Sequence, residues 1–268
     1  MILKGRLSVS AILLPVLYGL IVFLPPFLFF LLAVAAILTA QYEFYRLYDR
    51  NGSTAIFLAL ILGFLLLCRF YFVFPLSFEL LVSAILMILL IFQLFFFRNI
   101  QSSLPDSSAL FISIFYPAGF LGYLIALRLL PDGVGLILFL LFVVWGGDAG
   151  AYYAGRSIGG KKLYPAVSPN KTVSGAIGGL LTSVLGGAIA KLLFISPSPF
   201  TWNETILLSL LLGGMGQLGD LSESLFKRSA GVKDSSAFVP AHGGILDKLD
   251  GVAFSAPLLY YYLFFARG

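Results

Sequence analysis

Nine long apolar runs constrain this chain more than any other feature. They cover about residues 8–24, 26–48, 54–74, 77–97, 108–129, 133–154, 173–195, 204–227 and 250–266. A helix needs about 20 apolar residues to cross a hydrocarbon layer ~30 Å thick. Only helices and closed barrels satisfy their backbone polar groups there. The separators are turn-like: Pro25-Pro26, Asn51-Gly52-Ser53, Pro75, the stretch 102–108, Pro131-Asp132-Gly133 and Ser196-Pro197-Ser198-Pro199. Of the 268 residues, 60% are apolar and only 11% charged, too few charges to cover a water-facing surface. A soluble enzyme and a disordered chain are excluded. So is an outer-membrane barrel, whose strands alternate rather than run apolar throughout. The expected fold is all-α: a polytopic integral membrane protein with about nine transmembrane helices.

Charge sets the expected orientation. With the N-terminus in the cytoplasm and nine spans, 13 of the 17 Lys and Arg residues lie inside; Arg69, Arg128, Lys191 and Arg267 lie outside. The positive-inside rule favours this arrangement, with the C-terminus outside. The net charge of +5 therefore reads as topology and not as nucleic-acid binding. The first run has no small-residue cleavage site after it and leads directly into the second, unlike a signal peptide. The single Cys68 excludes an intrachain disulfide.

Two regions follow. Residues 1–140 are N-terminal transmembrane helices with few polar positions. Residues 141–268 form a C-terminal catalytic region with cytoplasmic loops, and hold Asp148, Glu204, Asp220, Glu223, Asp234, Asp247 and Asp250 among the 12 carboxylates. No internal repeat is seen, which argues against a repeat-built transporter using Asp220 and Glu223 as an ion site.

Three clusters carry chemistry. In the first, Asp220 and Glu223 stand at i and i+3 inside a span, on one helix face that Ser224 and Lys227 extend. A carboxylate inside a span costs about 2.5–3.5 kcal/mol, so it suggests function. Gly213, Gly214, Gly216 and Gly219 thin the same helix. The second cluster is the following loop, with Lys227, Arg228, Lys233, Asp234, the chain's only histidine His242, Gly243-Gly244, Asp247, Lys248 and Asp250. Few hard oxygen ligands beside open positions suit Mg²⁺ held jointly with substrate phosphates. One His and a remote Cys make no zinc site. The third cluster, residues 146–175, offers Asp148, Arg156, Lys161, Lys162, Lys171, Ser168 and Thr172 among glycines. Two basic loops on one membrane face suit a polyphosphate. Anionic lipid headgroups are the simpler alternative. Together the clusters describe an enzyme that joins a water-soluble nucleotide to a lipid phosphate.

The stretch Ser224-Leu-Phe-Lys-Arg, Lys233-Asp234, Pro240-Ala-His242-Gly-Gly-Ile-Leu-Asp247-Lys-Leu-Asp250 resembles the signature of phosphatidate cytidylyltransferases (CDP-diacylglycerol synthases). Gly147-Asp148, Ala151-Tyr152, Gly155-Arg156, Gly159-Gly160-Lys161 and Ser168-Pro169-Asn-Lys171-Thr172 are similar to the family's second conserved region. The two motifs cover about 100 residues; the N-terminal spans match in hydropathy only. Lys248 stands where the family usually has Arg, and Ser174 where a Glu is expected. Glu43 resembles an acidic residue common near the end of the second span. A CDP-alcohol phosphotransferase is a weaker match, because Asp148 to Arg156 lacks that family's spaced Asp pair.

The resemblance implies that CTP and phosphatidate give CDP-diacylglycerol and diphosphate at the inner membrane, on its cytoplasmic face. It implies Mg²⁺, as one ion or two, and a homodimer. Asp220 and Asp247 become the principal metal ligands, with Glu223 and Asp250 in support. Lys171, Lys227, Arg228 and Lys233 become phosphate contacts, and His242, Gly243 and Gly244 shape the triphosphate pocket. Asp148, Arg156, Lys161, Ser168, Thr172, Ser224, Asp234 and Lys248 complete the expected substrate site.

Overall fold

A computed structural model of the protein describes residues 14–48, 53–72, 77–97, 99–195, 199–236 and 243–267. Helix α1 covers Leu14–Phe23, so the first expected span begins outside the described residues. Then come α2 (Pro26–Tyr48), α3 (Ser53–Tyr71) and α4 (Phe78–Phe96). The fifth span is composite: a 3₁₀ turn, Ile100–Ser102, leads into α5 (Ser103–Ser113), a π-helical segment (Ile114–Phe120) and α6 (Leu121–Leu129). The C-terminal region holds α7 (Gly133–Ile158), a hairpin of β1 (Lys162–Tyr164) and β2 (Ser168–Thr172), α8 (Val173–Phe194), α9 (Trp202–Ser229) and α10 (Leu246–Arg267). Among the described residues, eight helical stretches are long and apolar enough to cross a membrane. With α1 they account for the nine runs.

The structure departs from the hydropathy reading where polar groups are locally satisfied. The fifth span starts at Ile100, not 108, because Asn99 Oδ1 accepts from the Gln101 amide at 2.9 Å. The Ser107 and Ser108 hydroxyls then bond back to carbonyls four residues earlier, at 2.7 and 2.8 Å. Pro117 lies inside the π segment. A proline lacks the N–H and collides with the carbonyl one turn back, and a widened turn relieves both faults. The expected basic loop after α7 is partly ordered as the antiparallel hairpin, with Lys162 opposite Thr172 and Tyr164 opposite Ser168. Helix α9 starts with a capping box: Thr201 Oγ1 accepts from the Glu204 amide at 3.2 Å, and Glu204 Oε2 accepts from the Thr201 amide at 2.6 Å.

The helices share one buried apolar cluster that runs from Ile21 to Leu263 and joins both regions of the chain. Large apolar side chains also point outward, among them Leu90, Leu94 and Phe95 on α4 and Leu181, Leu185 and Leu192 on α8. Outward apolar faces are what a bilayer requires, since lipid tails are as apolar as leucine. Inside, α7 and α8 touch through small residues. The buried positions of α8 are Gly175, Gly179, Ser183, Gly186, Gly187 and Ala190. A Cβ at Gly175 would stand 2.8 Å from the Ala151 carbonyl oxygen, and one at Gly186 would collide with the Phe142 carbonyl. Such backbone contact is a membrane packing device, and here it fixes the helices that carry the third cluster.

Candidate active site

The C-terminal ends of α7 and α9 and the start of α10 come together, with the hairpin against α9, and the polar residues of the sequence motifs gather there. Three helix contacts bring them together. A Cβ at Gly219 of α9 would stand 2.5 Å from the Asp250 carbonyl oxygen of α10. Gly216 and Gly251 face each other nearby, with a Gly251 Cβ position 3.2 Å from the Gly216 carbonyl oxygen. The glycines of α9 thus let the acidic stretches of α9 and α10 lie side by side. Third, the Ser255 hydroxyl donates to the Leu212 carbonyl at 2.9 Å and ties the two helices one level further from the site.

Two adjoining parts result. The first is a cavity of about 540 Å³, within the range of small-ligand sites. Asp148, Tyr152 and Arg156 of α7 line it, with Asn170, Lys171 and Thr172 of β2 and Gln217 and Asp220 of α9. The Lys171 ammonium lies 2.6 Å from Asp220 Oδ2 and clamps the hairpin to α9. Gln217 donates to the Ala176 carbonyl at 3.0 Å, and Arg156 donates to the Tyr152 hydroxyl at 3.0 Å. Thr172 caps α8 by accepting from the Gly175 amide at 3.0 Å. Asp148 interacts electrostatically with Asp220, Lys171 and Lys248. Ser174, the departure from the family pattern, bridges Thr172 Oγ1 at 3.0 Å and the Gly159 carbonyl at 2.5 Å. It joins the end of α7 to the start of α8.

The second part is a buried charge cluster. Lys227 is 9% exposed. Its ammonium donates to Glu223 Oε2 at 2.7 Å, one turn back on α9, and to Asp247 Oδ1 at 2.6 Å on α10. Asp247 Oδ2 accepts from the Gly244 amide at 2.7 Å and the Ser235 hydroxyl at 2.9 Å. Asp250 is 8% exposed, and its Oδ1 accepts from the Gly251 amide at 2.7 Å. It interacts electrostatically with Glu223, Asp220 and Asp148. Glu223 is fully buried, and its Oε1 finds no hydrogen-bond partner among the described residues. Tyr116, set by the π segment, is in the same position: its hydroxyl is buried without a partner there, facing Glu223, Asp250, Asp220 and Asp247 electrostatically.

The structure therefore brings together Asp148, Arg156, Lys171, Thr172, Asp220, Glu223, Lys227, Asp247 and Asp250. Ser224 supports Asp220 with a long 3.4 Å contact. Other expected residues lie apart from this set. Arg228 is exposed and donates to the Val232 carbonyl at 2.9 Å, closing the turn after α9. Lys161, Lys233 and Asp234 are exposed, Ser168 is half-buried on β2, and neither Lys161 nor Ser168 lines the cavity; Lys248 is exposed as well but acts electrostatically on Asp148. The Gly244 amide serves Asp247 instead of standing open to a substrate anion. Gly243 has φ +83°, and a Cβ there would stand 2.6 Å from Asp247 Oδ2. Its lack of a side chain is required twice over, by backbone conformation and by space. His242 lies outside the described residues.

Of the four carboxylates expected at a metal, Asp220 pairs with Lys171, Glu223 and Asp247 share Lys227, and Asp250 accepts from the Gly251 amide. No three Asp, Glu, His or Cys side chains among the described residues converge as a ready-made chelating group. Their chemistry nonetheless suits a hard divalent cation. They are oxygen donors, they outnumber the ammoniums facing them, and one buried Glu223 oxygen has no donor.

Sequence reasoning left one residue of this neighbourhood without a role. Glu43, on α2, is 3% exposed. Its carboxylate accepts from the amides of Ile245 and Leu246 at 3.2 and 2.8 Å and from the Ser236 hydroxyl at 2.5 Å. A lone carboxylate near the end of an apolar run was the available signal.

Comparison with known proteins bears on this geometry. The cytidylyltransferase family matches residues 4–266. The phosphatidate cytidylyltransferase of Brucella suis is 48% identical over 130 residues, 48% of this chain and 47% of that protein. That of Bacillus subtilis is 43% identical over 142 residues, 53% of this chain and 52% of that protein. That of Staphylococcus haemolyticus is 45% identical over 158 residues, 59% of each. The chain thus spans about half the length of the curated relatives it matches. With the match running nearly end to end and two sequence motifs meeting at one cavity, the chain belongs to the cytidylyltransferase family.

Proposed function

We propose that this protein transfers the cytidylyl group of CTP to phosphatidate, forming CDP-diacylglycerol and diphosphate at the cytoplasmic face of a bacterial inner membrane. The observation that carries the reading is the joining of a cation-lined cavity of about 540 Å³ to a buried carboxylate–lysine cluster at the ends of apolar helices. A nucleotide can come from water and a lipid phosphate from the bilayer at such a place. The positive-inside count supports the orientation.

The chemistry follows from charge. A phosphate monoester is already largely ionised at pH 7, since its second pKa is about 6, so the attacking lipid oxygen needs no strong base. It forms a bond to the α-phosphorus of CTP while the bond to the diphosphate oxygen breaks. The obstacle is the meeting of two polyanions. Arg156 and Lys171 line the cavity and would bind and orient phosphate oxygens there. Lys227 holds Asp247 and Glu223 in fixed positions. Asp220, Glu223, Asp247 and Asp250 would hold Mg²⁺, and Lys171 and Lys227, which pair with the first three, would then be free to turn to phosphate. Mg²⁺ bound there would supply charge neutralisation in the transition state and orientation of the phosphate oxygens.

The test uses purified protein in detergent–lipid micelles with phosphatidate, cytosine-labelled CTP and Mg²⁺. Mg²⁺-dependent passage of label into the organic phase is expected. Absence of label in the lipid, with protein that elutes as a folded species, would overturn the reading.

A further inference from the structure

We infer that Glu43 is a positioning residue for Asp247: a carboxylate from the N-terminal region that fixes the start of α10. The inference rests on the reading of the site given above. The first amides of a helix have no partners within it. At α10 two of those donors are taken by a side chain from 200 residues earlier in the chain. Glu43 Oε2 accepts from Leu246 N at 2.8 Å, and Oε1 accepts from Ile245 N at 3.2 Å and from Ser236 Oγ at 2.5 Å. The Ser235 hydroxyl connects the two carboxylates, since it donates to Asp247 Oδ2 at 2.9 Å and lies 3.4 Å from Glu43 Oε2. Gly244 makes room: a Cβ there would come 2.5 Å from Glu43 Oε2 and collide with Ser235 Oγ.

Glu43 is itself held firmly. One residue on, Phe44 packs edge-on against Phe226 with ring centres 5.2 Å apart, next to Lys227. One turn on, the Tyr48 hydroxyl donates to the Phe226 carbonyl at 3.0 Å. On the other side, Gln41 donates to the Ala59 carbonyl of α3 at 2.6 Å. The end of α2 is thus fixed to α3 and α9, and Glu43 transfers that fixed reference to Ser235-Ser236 and to Ile245-Leu246, directly before Asp247. None of its contacts reaches the cavity that Arg156 and Lys171 line. Glu43 should therefore govern how fast bound substrates react, and leave CTP binding nearly alone.

Glu43→Gln tests this with little change of shape. One carboxylate oxygen becomes an NH₂ group that faces N–H or O–H donors, so at least one buried donor loses its acceptor. Turnover should fall by about a hundredfold, the scale of a small misplacement at a reacting centre. KM for CTP should stay within about threefold, as expected when only transition-state interactions are lost. Glu43→Asp keeps the charge one methylene short and should recover part of the loss. Independently of activity, hydrogen exchange of the peptide 243–250 should speed up in Glu43→Gln, while the α9 peptide 208–218 exchanges as before. If Glu43→Gln does not fold, Ser236→Ala removes one contact to Oε1 and should show the same pattern more weakly. Turnover per folded molecule within about twofold of the parent, or unchanged exchange at 243–250, would overturn the inference. If the parent protein transfers no label, the proposed function fails, and the exchange measurement still decides whether Glu43 sets the start of α10.

Discussion

The N-terminal helices and the α7–α9 seam solve the packing problem in opposite ways. In the first region large rings fill the space. Phe30 stacks obliquely on Tyr71 with centres 4.6 Å apart, and Phe70 meets Tyr123 at 4.9 Å. In the second region the space is removed. Gly147, Gly175, Gly179 and Gly186 let backbones touch, Gly150 makes room for the Thr182 side chain, and serines supply short cross-links, such as Ser183 Oγ to the Val143 carbonyl at 2.9 Å. Aromatic packing tolerates small rearrangements, because rings can tilt. Backbone contact tolerates almost none. The polar site stands on the rigid seam, where the carboxylates and lysines need fixed positions, and the aromatic region supplies bulk and one anchor, Glu43.

That contrast can be broken by mutation, and the expected effects fall in order. Asp247→Asn and Asp220→Asn should each cut label transfer by about a thousandfold or more, the scale seen when a transition-state charge partner is lost. Both proteins should still insert and elute normally; near-normal turnover in either would remove that residue from the site. Next, Gly219→Ala pushes a methyl group against the Asp250 carbonyl, where the gap is 2.5 Å. It should cost about 1–3 kcal/mol of stability through overpacking and lower turnover of the folded fraction. Leu67→Ala, in the aromatic region and fully buried, should cost about 2–5 kcal/mol on thermal melting with turnover per folded molecule nearly unchanged. Equal effects on turnover from Gly219→Ala and Leu67→Ala would dissolve the distinction between the two regions.

Smaller effects sharpen it. Tyr116→Phe removes a buried hydroxyl that has no partner among the described residues. Stability should stay within about 0.5 kcal/mol or rise, because an unsatisfied buried group costs free energy. Turnover should fall by about tenfold, because the hydroxyl faces the carboxylates of the buried charge cluster. Unchanged turnover would assign Tyr116 to packing alone. Last, Lys248→Arg should leave turnover within about twofold of the parent. Lys248 is exposed, its backbone carbonyl accepts from Trp145 Nε1 at 3.3 Å, and arginine keeps the positive charge that acts on Asp148.

Much of the molecule was legible in the linear order of residues. Hydropathy alone located the spans, because the bilayer demands length and apolar character and little else. It misplaced the ends where polar residues continue a helix: α9 runs to Ser229, and α10 starts at Leu246, four residues before the apolar run. The spacing of Asp220, Glu223 and Lys227 predicted one helix face, and the buried Glu223–Lys227 pair confirms it. Arg228, Lys233 and Lys248 carry the same charge as Lys227 and stand in the same motif, yet they are exposed. No local pattern separates them.

The sequence by itself determined a helical membrane protein, its order of spans, and a short set of carboxylates and cations with work to do. It did so because helical periodicity and the cost of charge in hydrocarbon are local rules. Tertiary structure alone decided which of those groups meet. Lys171 finds Asp220, Lys227 joins α9 to α10, and Glu43 reaches across 200 residues to start the last helix. Those pairings depend on how closely helices approach, and that distance is set by glycines facing one another across α7 and α8 and across α9 and α10.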